Sequence, residues 1–168
     1  DMMIALGHDY LSKINVAAAS NVINTCLTGV SCFAAARQTG KRKYAKMADR
    51  CRSKIKKWLD MGNPNVKHYG SILDAEAMAL KGKHFAAINH YEVAILLAAR
   101  SGYQHDAALA SERLGEFQIS VMNNTEEGGY RLREAVKYWA GWGAMAKVAD
   151  LEKKYPDFLR PQQPSAIF

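Results

Sequence analysis

Apolar residues recur every three or four positions along most of the chain, a helical period. Ile23, Leu27, Val30 and Ala34, flanked by Cys26 and Phe33, predict a first helix, with Gly40 just past its end. A second is predicted from about Lys43 to Met61 on Tyr44, Met47/Ala48, Cys51, Ile55 and Trp58/Leu59, and Gly62-Asn63-Pro64 ends it. A third spans about Val66 to Lys81 with Tyr69, Ile72/Leu73, Ala77 and Leu80 inward, and Gly82 closes it. The fourth uses Phe85, Ile88, Tyr91, Ile95 and Ala98/Ala99 and stops at Ser101-Gly102. The fifth, from about His105 to Met122, uses Ala107, Ala110, Leu114, Phe117 and Val121. Thr125 is the expected cap of a sixth, which turns Leu132, Ala135/Val136, Trp139 and Trp142 inward and ends at Gly143. A short seventh runs from Ala144 to about Tyr155 and is stopped by Pro156.

Prolines fall at Pro64, Pro156, Pro161 and Pro164, so almost nothing breaks a helix between residues 20 and 154. Alanine is abundant and β-branched residues are sparse. The expected fold is therefore all-α, with about six to eight helices. Links of two to five residues force neighbouring helices antiparallel. Residues 1–19 carry weaker periodicity and form a lead-in that could be one more helix. Residues 20–158 form the helical domain, and 159–168, with two prolines, an extended tail. A shift of 41 residues lays Tyr91 on Leu132, Ala94 on Ala135, Leu97 on Tyr138, Gly102 on Gly143, Ala107 on Val148 and Ala110 on Leu151. A shift of 39 lays Ile55 on Ala94 and Trp58 on Leu97. Helix–turn–helix units repeating near 40 residues predict an α-solenoid of antiparallel helix pairs. An irregular bundle is the alternative.

Length and composition narrow the class. A body of 168 residues can bury a core without disulfides or metal. With 49% hydrophobic and 23% charged residues, disorder is excluded for most of the chain. No run of 18 apolar residues occurs, and residues 1–9 lack the basic and apolar regions of a signal peptide. The initial Asp1 suggests a fragment or a processed chain. Three cysteines, an odd number without a Cys-x-x-Cys, argue against a disulfide framework and for a reducing, cytoplasmic compartment.

Charge changes the picture most. The net charge is +7, yet Arg37 to Lys57 alone holds ten Lys or Arg and one acid, Asp49. The rest of the chain is close to neutral. Lys43, Lys46, Arg50, Lys54 and Lys57 share one helical stripe beside the apolar one. Its plain reading is a solvated outer face whose lysine stems cover apolar neighbours. Its functional reading is a docking face for an acidic protein, ahead of nucleic acid or an anionic membrane surface. The absence of aromatic residues interleaved along the stripe weakens single-strand binding.

Other chemistry is thin. No pair among His8, His68, His84, His90 and His105 has the i, i+4 spacing of a helical zinc pair, so no metal is expected and the histidines read as surface or capping residues. Cys26, Cys32 and Cys51 fall near inward positions, and the positive stretch around Cys51 would lower its thiol pKa if it were exposed. Glu126-Glu127 complements a helix start. Asn123-Asn124-Thr125 matches a glycosylation sequon but reads as a turn. There is no phosphate-binding Gly-x-x-x-x-Gly-Lys-Ser/Thr, no His-Arg-Asp and no Asp-Phe-Gly, so no catalytic residue or cofactor is expected.

One tract is more specific. Trp142-Gly143-Ala144-Met145-Ala146-Lys147-Val148 continues to Leu151-Glu152-Lys153-Lys154-Tyr155-Pro156. With the preceding residues from Lys81, and the basic helix ending in Lys56-Lys57-Trp58, it resembles the tetratricopeptide-like helical region of large multidomain AAA-ATPase/GAF sensor kinases. The resemblance covers roughly residues 25–158. It implies an interaction or regulatory array and carries over no catalytic residue, since the kinase and ATPase motifs of such parents lie outside this chain. A concave face of such an array would bind peptide through aromatic and polar groups, here Tyr91, Glu92, Arg113, Glu116 and Tyr138. The expected function is a non-catalytic protein-interaction or scaffold module. The alternative is a basic accessory subunit docking through helix 43–61. Oligomeric state stays open.

Overall fold

Among the described residues, six in the left-handed region cut the chain into helices: Gly40, Gly62, Gly82, Gly102, Asn123 and Gly143, with φ from 53° to 86°. They recur every 20 to 22 residues, one just past the end of each of the first six helices. A left-handed residue there turns the chain back, and glycine does so without a Cβ clash. The computed structural model describes residues 2–159, with side chains from residue 21 onward. The tail expected over 160–168, and the side-chain pattern of 1–19, lie outside the described residues.

The helices are α1 (Met2–Thr39), α2 (Arg42–Asp60), α3 (Lys67–Leu80), α4 (His84–Arg100), α5 (Gln104–Ser120), α6 (Thr125–Gly141), α7 (Met145–Lys154) and α8 (Pro156–Leu159). A 3-10 turn, Pro64–Val66, precedes α3. Among the described residues there is no strand, and the fold is all-α, made of packed helix pairs. Where the periodicity predicts one domain over 20–158, the chain divides into two compact units, Asp1–Lys83 and His84–Phe168.

In the first unit Asn21 meets Lys54 and Gly29 meets Cys51, so α1 and α2 run antiparallel. Gly29 also meets Leu73, and Arg37 reaches Glu76, so α3 runs parallel to α1. The three helices bury Cys26, Phe33, Ala48, Ile55, Ile72 and Leu73. Glu76 is also fully buried, paired with Arg37 at 2.6 Å.

The inward face of α1 differs from the predicted stripe. Val30 of that stripe is buried, as are Val22, Cys26, Phe33 and Ala36, whereas Ile23 and Leu27 are 37% and 45% exposed. Gly29 explains the rotation. A Cβ there would lie 2.7 Å from Leu73 Cδ2 and 3.1 Å from Cys51 Cβ, so both neighbouring helices close on that point. The smallest residue, rather than the largest apolar ones, sets the phase. On α2, Met47 is exposed and Ala48 takes the inward place.

In the second unit, α5 and α6 cross most closely. Gly115 stands against Leu132 and Gly128, and Gly128 against Ile119, an antiparallel register. Glu112 bonds Lys147 and Glu116 bonds Lys154, so α7 runs parallel to α5. The 41-residue correspondence survives packing: Tyr91 and Leu132, Ala94 and Ala135, and Ala110 and Leu151 are fully buried, and Ala107 and Val148 are buried.

Several predicted positions shift here too. α4 turns Ala87, Tyr91, Ala94 and Ala98 inward and leaves Phe85 78% exposed, because the alanine face admits closer approach of α5. Val121 and Trp142 lie at helix ends and are exposed. Asn124, not Thr125, caps α6: its side chain accepts a hydrogen bond from the Glu127 N–H at 3.2 Å. Replacing Asn124 by Ala is expected to cost about 1 kcal/mol, read as a lower denaturation midpoint. Pro156 ends α7 as expected but then opens α8, since its fixed φ suits a first helical position. Phe158 of α8 covers Gly129, where a Cβ would lie 3.0 Å from its ring.

Candidate functional site

Helix α2 separates its chemistry by face. Ala48 and Ile55 are buried, with Tyr44, Cys51, Trp58 and Leu59 half-buried beside them. Lys43, Lys46, Arg50, Lys54 and Lys57 are all exposed. At 1.5 Å per residue the cationic stripe is roughly 20 Å long. Two other basic residues of this stretch are neutralised: Arg37 by Glu76 and Arg52 by Asp74. Among the described residues, none of the five stripe cations makes an ion pair with a carboxylate. Instead Lys43 lies over the Tyr44 ring and Lys54 over the Trp58 ring, each 4.9 Å from the centroid. Those contacts draw the two ammonium groups over aromatic faces while both residues stay exposed.

Sequence reasoning missed what lies beside the stripe. Asn21, Asn24 and Thr28 sit at i, i+3 and i+7 on α1, and all three are exposed. They form one wall of an open groove of about 300 Å³, with Arg50, Cys51 and Lys54 on the other side. Lys54 Nζ donates to Asn21 Oδ1 at 3.2 Å across it. The legible signal was the helical spacing of the amide and hydroxyl residues Asn21, Asn24 and Thr28. An adjoining hollow holds Lys46, Asp49, Arg50 and Ser53. Burial pushes the Cys51 thiol up, the neighbouring Cys32 adds to the rise, and Lys54 only partly opposes it. The expectation from local positive charge is therefore outweighed by the half-buried position, and Cys51 is protonated at neutral pH.

The groove expected in the second unit does not form from its named residues. Tyr91 is fully buried, its ring 6.1 Å from Phe117, because the inward alanine face of α4 carries it into the core. Arg113 and Glu116 are half-buried and bonded to each other. Glu116 also accepts from Lys154 at 2.6 Å and from Tyr155 at 3.0 Å, tying α5 to the end of α7. Tyr138 is half-buried on α6. Glu92 is exposed and pairs with Arg131, which also holds Glu127. Glu112 accepts from Trp139 at 3.1 Å and Lys147 at 2.8 Å. These polar groups fasten helices to one another.

The Glu116 clasp has a pH signature. Burial alone would raise its pKa, but Lys154, Arg113 and Tyr155 together hold it below the usual carboxylate range. A depressed folded-state value means that the clasp stabilises fully above the unfolded value of about 4.3, and that this is lost as pH falls through the folded value. Denaturation midpoints measured from pH 6 to pH 3 are expected to fall less steeply in Glu116→Gln than in the parent.

Among the histidines, His68 is buried, its ring centroid 4.0 Å from that of Tyr69, so it is a core residue rather than a surface one. His84 meets Phe117 edge-on at 5.7 Å and His105 lies 4.9 Å from Trp142. Among the described residues, no three His, Cys, Asp or Glu come together as a metal site, and no helix is long and apolar enough to cross a membrane. Comparison with protein-family models, with curated proteins and with solved structures gives no match.

Proposed function

We propose that this chain is a non-catalytic protein-interaction module, a tetratricopeptide-like array of helical hairpins that binds an acidic protein segment along the cationic face of α2. The observation that carries this reading is the row of five exposed cations without ion pairs, on a protein that pairs Arg37, Arg52, Arg113, Arg131 and Lys154 elsewhere. Isolated surface charges of one sign repel one another, so their alignment favours an anionic partner. The recurrence of buried positions at 41 residues supports the solenoid arrangement. Three free cysteines accord with a reducing, cytoplasmic setting. The resemblance of Trp142 to Pro156 favours a role in signal transduction, as the helical segment of a kinase-type assembly.

A fluorescent 20-residue Glu/Asp-rich peptide tests the reading by anisotropy. Binding at 50 mM salt that weakens at least tenfold by 300 mM is expected, since exposed charges are screened over about 8 Å at physiological salt. Salt-independent binding would assign recognition to an apolar surface instead.

A further inference from the structure

The groove between α1 and α2 differs chemically from the rest of the stripe. The adjoining hollow of α2 sets Asp49 beside Lys46 and Arg50. In the groove two cations, Arg50 and Lys54, face the side-chain amides of Asn21 and Asn24 and the hydroxyl of Thr28. Among the described residues no carboxylate lines it, and Asp49 belongs to the adjoining hollow. Its space of about 300 Å³ compares with ~30 Å³ per liquid water, so it admits a side chain bearing a bulky head group. A carboxylate offers two oxygens in a plane. A phosphate monoester offers three acceptor oxygens and nearly two negative charges, and so can use donors on both walls at once. Lys54 is already tied across the groove by its hydrogen bond to Asn21 Oδ1.

We propose that this groove is a phosphate-binding subsite that recognises a phosphorylated side chain within the acidic segment, so that phosphorylation of the partner strengthens docking. The proposal rests on the acidic-partner reading above and adds the ligand class. Arg50 would take the phosphate through its guanidinium fork, Lys54 would supply point charge, and Asn24 and Thr28 would donate from the facing wall. A phosphopeptide fits better than nucleic acid because the groove takes in only Arg50 and Lys54 of the five stripe cations, and among the described residues no exposed aromatic lines it.

The test uses the full chain at 150 mM salt and two 15-residue Glu/Asp-rich peptides, identical except for a central phosphoserine. The phosphorylated peptide is expected to bind about tenfold tighter. Arg50→Gln with Lys54→Gln should erase that ratio. Asn24→Ala with Thr28→Ala, which leaves the charge unchanged, should reduce it severalfold. Lys43→Gln with Lys46→Gln should weaken both peptides alike and preserve it. Equal affinity for the two peptides would overturn the subsite and leave the acidic-partner reading standing. Failure of both peptides, with or without binding of a 15-nucleotide poly-U RNA or of phosphatidylserine vesicles, would overturn both.

Discussion

Replacing Lys43, Lys46, Arg50, Lys54 and Lys57 together by Gln is expected to weaken the acidic peptide about a hundredfold at 50 mM salt and to flatten its salt dependence. Each exposed ion pair contributes little alone, but five act on the same ligand, and a hundredfold corresponds to roughly 2.7 kcal/mol over the set. The fold should not suffer. All five side chains are exposed, and among the described residues none pairs with a carboxylate. Their mutual repulsion is relieved by the change, so the melting temperature should hold or rise. A variant that still binds within threefold of the parent would remove α2 from the interface. A variant that unfolds would mean that the lysine stems over Tyr44 and Trp58 hold the helix down; Lys46→Gln with Lys57→Gln, which spares Lys43 and Lys54, then isolates the charge effect.

The second large effect concerns stability. Gly128→Val should cost about 3 kcal/mol and lower the melting temperature by roughly 10 °C or more. A Cβ at that position would lie 2.4 Å from Ile119 Cγ1 and 3.0 Å from the Gly115 carbonyl oxygen. The first neighbour is branched and packed, and the second is backbone, so α5 and α6 must separate along their crossing. Gly141→Ala is the internal control. It lies on the same helix, is exposed, and would meet only the end of the Gln104 side chain at 3.1 Å. It should be neutral or stabilise by up to ~1 kcal/mol through helix propensity. Equal melting temperatures for Gly128→Val and the parent would show that the helices do not cross there.

The order of the helices and the ends of α1 to α6 were legible because the punctuation is chemical, whereas α8 was not foreseen and residues 2–19 continue α1 rather than form a separate helix. Gly40, Gly62, Gly82, Gly102 and Gly143 are read directly as left-handed stops, and the structure puts φ between 66° and 86° at each. The rotation of each helix was less legible. α1 and α4 carry apolar residues on several faces, so periodicity alone selects Ile23, Leu27 and Phe85 as readily as Val22, Cys26 and Ala87. What decides is closeness of approach, and its markers are Gly29, Gly115, Gly128 and the alanines of α4, which periodicity counts as weak signals. The cationic stripe was legible because charge must stay in water whatever the packing. Tyr91 could not serve both the inward stripe of α4 and a groove, and the structure keeps it on the stripe, fully buried. The polar wall of Asn21, Asn24 and Thr28 gains meaning only when α2 is laid beside it, a relation that no single-helix pattern contains.

The regular spacing of the left-handed residues also bears on how the protein is made. Within each unit every helix rests on one no more than two places away along the chain. Such local wiring gives folding in microseconds to milliseconds. A ribosome delivering 5–20 residues per second needs about 2–8 s to emit one 41-residue hairpin. Each hairpin therefore has time to close before the next leaves the exit tunnel, and the glycine-rich turns spare the nascent chain any long wait with its apolar faces bare.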